Sequence, residues 1–261
     1  MPFTKLNNIS VHYKIQGEGT PLIFLHGISD SSDYWIPMIK HFSSEYQVIA
    51  PDLRGHGLSS KDVDIDIDLF TGDLDGIVNK FDLQEFIIAG FSLGSLIALN
   101  YTLKFPDKIK AMILCSGYSK ATPKICQNLE YLENLTANEG VSGFFDEMIE
   151  MVYTKEFLSK HTEYYDFKES AIEMNHEQAI IQSLKVCEEY DVKNRLKEID
   201  IPSLIICGCV DDLIPPSSSI DLNNNLAVSN LIKLSNMGHN ILLPETVPKI
   251  IFEITGFLDT I

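Results

Sequence analysis

The sequence predicts an α/β protein: a doubly wound, mostly parallel sheet with a helical insertion. Short, nearly continuous apolar runs such as Pro21-Leu22-Ile23-Phe24-Leu25 and Phe86-Ile87-Ile88-Ala89 suit strands buried on both faces of a parallel sheet. These runs alternate with amphipathic stretches at helical spacing, the rhythm of βα units. The rhythm then breaks between about Tyr118 and Leu196, where only helical patterns occur, and resumes at Ile201. Residues 118–196 are therefore expected to form a helical cap inserted into a core made of residues 1–117 and 197–261.

Each element has a local reason. Two short alternating runs around Asn7-Asn8, from Thr4 to Ile15, suit an antiparallel hairpin whose turn tolerates positive φ. Pro21 to Leu25 is the next strand, and His26-Gly27-Ile28 follows at its C-terminal end, where parallel sheets collect their sites. A helix from Ser31 to His41 covers the sheet, with Trp35, the single tryptophan, in the core. Gln47 to Ala50 is a strand leading into Asp52-Leu53-Arg54-Gly55-His56-Gly57-Leu58-Ser59, a loop that the Asp52 and Arg54 pair is expected to brace, with His56 at the surface. Asp62, Asp64, Asp66 and Asp68 alternate with apolar residues, but a calcium loop starting at Asp62 needs glycine sixth and glutamate twelfth, where Ile67 and Asp73 stand. A solvated lead-in to a helix from Leu69 to Phe81 is the expectation instead. Lys110 to Cys115 and Leu204 to Cys207 are further strands, Asn230 to Leu234 is the last, and Val247 to Leu258 is a closing helix.

Composition bounds the function. At 261 residues with 45% apolar content, the chain can bury a large core as one sizeable domain. With 20 basic against 37 acidic residues, a net −17, it repels nucleic acid and acidic membrane surfaces. The start, MPFTKLNNIS, has no signal-peptide pattern and no apolar run is long enough to span a bilayer, so a soluble, cytoplasmic protein is expected. Five cysteines at irregular spacing suggest no disulfide framework, and Cys207-Gly208-Cys209 lacks the second pair that a metal site requires. No cofactor and no metal are expected, and the oligomeric state is not legible.

The chemistry centres on Gly90-Phe91-Ser92-Leu93-Gly94, a G-x-S-x-G between a strand and a helix. A strand that turns straight into a helix brings the flanking backbone too close for a Cβ, hence the glycines, and leaves the serine exposed at the tip. A serine hydroxyl needs a base in hydrogen-bond reach, and the base needs a carboxylate. Gly208-Cys209-Val210-Asp211-Asp212 places two carboxylates after one later strand, and Gly238-His239 lies after the last. All three positions fall at the same edge of the sheet. Of the other histidines, His12, His41, His161 and His176 lack a matching nucleophile and carboxylate, and His26, which precedes a glycine, is expected to be a structural donor to nearby backbone.

With His26-Gly27, Asp52-x-Arg54-Gly55-x-Gly57-x-Ser59, the elbow, Gly208-x-x-Asp211-x-x-x-Pro215 and Gly238-His239, the chain from Pro21 to its C-terminus, outside the insertion, resembles the α/β-hydrolase superfamily. The resemblance implies Ser92 as nucleophile, His239 as base, Asp211 rather than Asp212 as acid, and an oxyanion hole from the backbone N–H groups of Ile28 and Leu93. Ser95 departs from the commoner glycine after the elbow, and its small size is expected to leave the chemistry unaltered. The activity implied is a cofactor-free serine hydrolase cleaving a small, largely apolar ester through an acyl-enzyme. Aromatic residues of the insertion, including Phe144, Phe145, Tyr153, Phe157, Tyr164, Tyr165 and Phe167, are expected to pack it, some lining an apolar cleft. Alternatives within the superfamily are C–C bond hydrolysis or enol-lactone opening on an anionic substrate, acyl transfer or perhydrolysis. Outside enzymes, a low-turnover ligand receptor would share the same residues.

Overall fold

The computed structural model describes residues 2–6, 8–162, 164 and 168–261. Eight strands form one sheet: β1 (Phe3–Leu6), β2 (Ile9–Gln16), β3 (Thr20–Leu25), β4 (Tyr46–Pro51), β5 (Phe86–Phe91), β6 (Ile109–Cys115), β7 (Ser203–Gly208) and β8 (Ser229–Leu234). Their spatial order is β1-β2-β4-β3-β5-β6-β7-β8. The pairs β1–β2 and β2–β4 are antiparallel, and every other neighbouring pair is parallel. The apolar runs are therefore explained: β5 is buried at all six positions because its neighbours flank it and helices cover both faces.

Helices α1 (Ile36–Phe42) and α9 (Val247–Leu258) lie on one face, and α2 (Ile67–Lys80) and α3 (Leu93–Lys104) on the other. The alternation along β3 sorts its side chains between them. Ile23 and Leu25 join the cluster of Phe70, Leu74 and Leu96, whereas Leu22 and Phe24 join that of Met38, Phe42 and Ile254. Trp35 is fully buried with its ring 4.7 Å from that of Phe24, in the core as expected.

Between β6 and β7 the described elements are α4 (Pro123–Val152), α5 (Lys155–Lys160), α6 (Lys168–Met174), α7 (Glu177–Glu189) and a 3₁₀ turn at Lys193–Glu198. Among the described residues there, no strand forms, and Lys120 and Asp191 make an isolated antiparallel bridge. Helix α4 is broken at Gly140, whose φ of 69° lies in the left-handed region that a residue without Cβ enters freely. The apolar side of this segment, with Ile125, Leu129, Phe144 and Leu184, is continuous with the α2–α3 face of the sheet.

Several expectations need adjustment. The hairpin β1–β2 forms with Asn8 at φ 67°, whereas Asn7 lies outside the described residues. The helix expected from Leu69 begins at Ile67, because Asp66 caps it: its Oδ1 accepts the Leu69 N–H at 2.6 Å. Asp62, Asp64, Asp66 and Asp68 are exposed while Ile65 is buried, a solvated edge. The helix expected from Ser31 to His41 is a 3₁₀ turn at Ser32–Trp35 followed by α1. Helix α8 (Pro216–Asn225) was not legible, since its sequence PSSSIDLNNN carries only two large apolar residues, of which Leu222 is fully buried.

The loop after β4 departs further. His56 is fully buried rather than at the surface, its Nδ1–H donating to the Arg54 carbonyl at 2.8 Å. Asp52 and Arg54 do not pair with each other. Asp52 receives the N–H groups of Ser32 and Leu58 and meets His12 Nδ1 at 2.9 Å, while Arg54 forks onto the carboxylate of Asp73 at 2.6 and 2.8 Å. Burial alone would raise the Asp52 carboxyl, but His26 and these N–H donors outweigh it and hold it below its ordinary range. A glycine-rich loop this deeply buried must satisfy its backbone with side chains, which makes each polar residue a brace.

Candidate active site

Ser92 sits between β5 and α3 with φ 51° and ψ −116°, a conformation that costs a non-glycine residue roughly 1–3 kcal/mol and persists only where the surroundings impose it. The surroundings are tight. A Cβ at Gly90 would lie 2.2 Å from the Gly94 carbonyl oxygen, and one at Gly94 would lie 2.2 Å from that of Leu25. The Ser92 N–H donates to Cys115 O at 2.9 Å, tying the turn to β6. Ser95 does more than fit: its Oγ lies 2.7 Å from the Gly90 carbonyl and 2.9 Å from that of Cys115, so it braces the same turn.

The three remote positions meet. His239 Nε2 is 2.9 Å from Ser92 Oγ, and His239 Nδ1 is 2.7 Å from Asp211 Oδ2. Asp211 Oδ1 accepts the N–H groups of Leu213 and Ile214 at 3.0 and 2.8 Å. Asp211 is buried, whereas Asp212 is exposed and its carbonyl accepts from Asn128 Nδ2. Gly208 lets the end of β7 touch the histidine loop, for a Cβ there would lie 2.1 Å from Gly238 O. Ser116 Oγ–H donates to His239 O at 2.9 Å, and the Phe91 ring lies 5.1 Å from the imidazole and is also stacked against Tyr34.

Ile28 lines the cavity at Ser92, and Leu93 opens α3, where the first N–H groups have no intrahelical acceptor. Among the described residues neither N–H is taken by an acceptor. A Cβ at Gly27 would stand 3.4 Å from the Ser92 Cβ, so the Ile28 loop passes directly beside the hydroxyl. His26 holds that loop: its Nδ1–H donates to Gly27 O at 2.7 Å, and its Nε2 accepts the Leu53 N–H at 2.9 Å. Burial pushes this imidazole below its ordinary value.

A cavity of about 230 Å³ opens over Ser92 and His239. Its apolar wall comes from α4 and nearby residues, Phe145, Met148, Ile149, Val152, Tyr153 and Tyr164. Phe144 and Phe157 are packing residues, and Tyr165 and Phe167 lie outside the described residues. Arg195, the arginine of the insertion, is far from this wall, forked onto Glu198 at the surface. Among the described residues no group of three or more His, Cys, Asp or Glu is placed to hold a metal ion, and no helix is long and apolar enough to cross a membrane.

Comparison with known proteins decides the kinship, since the family model for the alpha/beta hydrolase fold matches residues 20–246. The chain belongs to the alpha/beta hydrolase fold family. A curated relative, the putative carbamate hydrolase RutD of Agrobacterium fabrum, is 27% identical and matches over 91% of this chain and 93% of its own. Among solved structures, the enol-lactonase of Burkholderia xenovorans aligns with a TM-score of 0.90 at 19% identity, covering 99% of this chain and 100% of that one. A thermophilic esterase of Thermogutta terrifontis aligns at 0.88 with 22% identity, covering 100% and 99%. These likenesses establish an alpha/beta hydrolase architecture.

Sequence reasoning missed a polar cluster on the wall of this hydrolase's cavity. Tyr34 Oη–H donates to Asn240 Oδ1 at 3.3 Å, and Asn240 Nδ2 donates to Tyr153 Oη at 2.9 Å. Asp30 is close enough to both tyrosines to raise their hydroxyls electrostatically, though burial is the larger cause, and burial pushes its own carboxyl up to about 7. Two signals were available: Asn240 directly follows His239, and Asp30 stands two residues past Ile28 in the loop at a strand end.

Proposed function

We propose that the protein is a serine hydrolase that cleaves a small, largely apolar ester through an acyl-enzyme intermediate. Ser92 Oγ attacks the carbonyl carbon while His239 Nε2 takes its proton, and Asp211 fixes the Nδ1–H tautomer and stabilises the imidazolium. The tetrahedral oxyanion is received by the N–H groups of Ile28 and Leu93. Such a donor typically contributes about 3 kcal/mol to transition-state stabilisation. His239 then protonates the departing alkoxide, and in the second half activates water against the acyl-enzyme. Residues 118–196 act as the cap, with the core formed by residues 1–117 and 197–261, and the α4 wall holds the apolar group.

The observation that carries this reading is the Ser92–His239–Asp211 hydrogen-bond chain at the floor of a mostly apolar cavity. The same attack suits the carbonyl of a carbamate, the class named for the Agrobacterium relative, so an ester and a carbamate of matched alkyl groups belong in one assay. Substitution of Ser92 by alanine is expected to abolish turnover of short-chain p-nitrophenyl esters and labelling by a fluorophosphonate probe, with the circular dichroism spectrum retained. Undiminished turnover in Ser92→Ala would overturn the nucleophile assignment.

A further inference from the structure

The cavity contains a carboxyl that ester hydrolysis does not use. Asp30 lines it together with Ser92, yet among the described residues its carboxyl has no hydrogen-bond or ion-pair partner. The charged group nearest in kind, Lys168, also lines the cavity, but its Nζ is held by Asp146. Of the tyrosines nearby, Tyr34 donates to Asn240 and Tyr153 accepts from it, and among the described residues neither is hydrogen-bonded to Asp30. A half-buried carboxyl that no protein group donates to is costly to hold in a cavity, and a donor carried by a ligand would relieve that cost. The raised value near 7 agrees with a carboxyl held without a cation beside it.

We infer that Asp30 determines the specificity of this site, receiving a hydrogen-bond donor carried by the substrate away from its scissile carbonyl, an ammonium or hydroxyl group, and rejecting substrates with a second carboxylate. This deepens the ester reading, on which its catalytic test rests. Once a donor is bound, Asp30 accepts through one oxygen while the apolar remainder of the chain lies along Met148, Ile149 and Val152 of α4. A carboxylate at the same place faces like charge, and among the described residues the cation on the wall, Lys168, is paired with Asp146.

The test uses three p-nitrophenyl esters of equal chain length: caproate, its ω-amino analogue, and the matching monoester of adipic acid. In the native protein kcat/KM is expected to favour the amino ester over the adipate monoester. Asp30→Asn, which keeps the shape and removes the charge, should shrink that ratio by about tenfold or more. A second arm needs no turnover. Calorimetric titration of the Ser92→Ala protein should show hexylammonium binding more tightly than caproate, with the preference lost in the Ser92→Ala, Asp30→Asn double variant. If no ester is hydrolysed but the binding preference is present and depends on Asp30, the ester reading fails and the Asp30 assignment stands. A ratio or binding preference that is absent, or that survives Asp30→Asn, overturns the assignment, as does failure of both ligands to bind.

Discussion

At the scale of single residues, the two adjacent carboxylates Asp211 and Asp212 separate cleanly because one is held from both sides. Asp211 gives one oxygen to the N–H groups of Leu213 and Ile214 and the other to His239, while Asp212 points to solvent. In Asp211→Asn the two backbone donors keep the amide oxygen on their side and turn the NH₂ toward His239 Nδ1. The imidazole must then accept at Nδ1 and carry its proton on Nε2, where it cannot take one from Ser92. We expect kcat to fall by about ten-thousandfold, the scale known for such a tautomer reversal. Asp212→Asn should stay within about twofold, as exposed substitutions do. Steady-state kinetics of the pair decides it, and loss of activity in Asp212→Asn alone would reverse the assignment.

At the scale of elements, the turn from β5 into α3 is held by contacts that a pentapeptide motif does not reveal. The strained Ser92 backbone is imposed by Gly90 and Gly94 pressing together, and by Ser95 bonding back to the carbonyls of Gly90 and Cys115. Removing a buried hydroxyl that makes such bonds costs about 1 kcal/mol. Ser95→Ala is therefore expected to lower the urea midpoint by that amount of stability. An unchanged midpoint would mean that the hydroxyl contributes nothing to holding the elbow.

At the scale of the whole molecule, the buried loop that braces the site carries a dependence on pH. His56 has its imidazole lowered from 6.5 to about 3, chiefly by burial and then by His26. Between those values the unfolded chain binds a proton that the folded chain does not, so stability falls as pH drops below about 6.5. His26, lowered by burial, acts in the same direction. Asp30 acts oppositely: raised from 3.8 to about 7, it is protonated in the folded chain where the unfolded chain is ionised, which adds stability as pH falls through that window. The comparison that isolates His56 is therefore native protein against His56→Gln. Between pH 7.5 and 5.0 the native protein should lose about 2 kcal/mol more than the variant by denaturant unfolding, from about 1.4 kcal/mol per pH unit. Equal losses would show that His56 does not carry the effect.

What the sequence by itself determined was the mostly parallel sheet and its strands, and it singled out Ser92, Asp211 and His239, which the fold brings into hydrogen-bond contact, because these depend on local pattern: apolar runs of strand length, glycines where backbones approach, and short motifs after strand ends. It did not determine what long-range packing decides. The burial of His56, the pairing of Arg54 with Asp73 instead of Asp52, and the polar helix at Pro216–Asn225 all depend on neighbours distant along the chain. The placing of Asp30 beside Tyr153 is of the same kind, since Asp30 follows β3 and Tyr153 lies just past the end of α4. A side chain's solvation and partners follow from the surfaces that folding brings against it, and only the tertiary structure holds those.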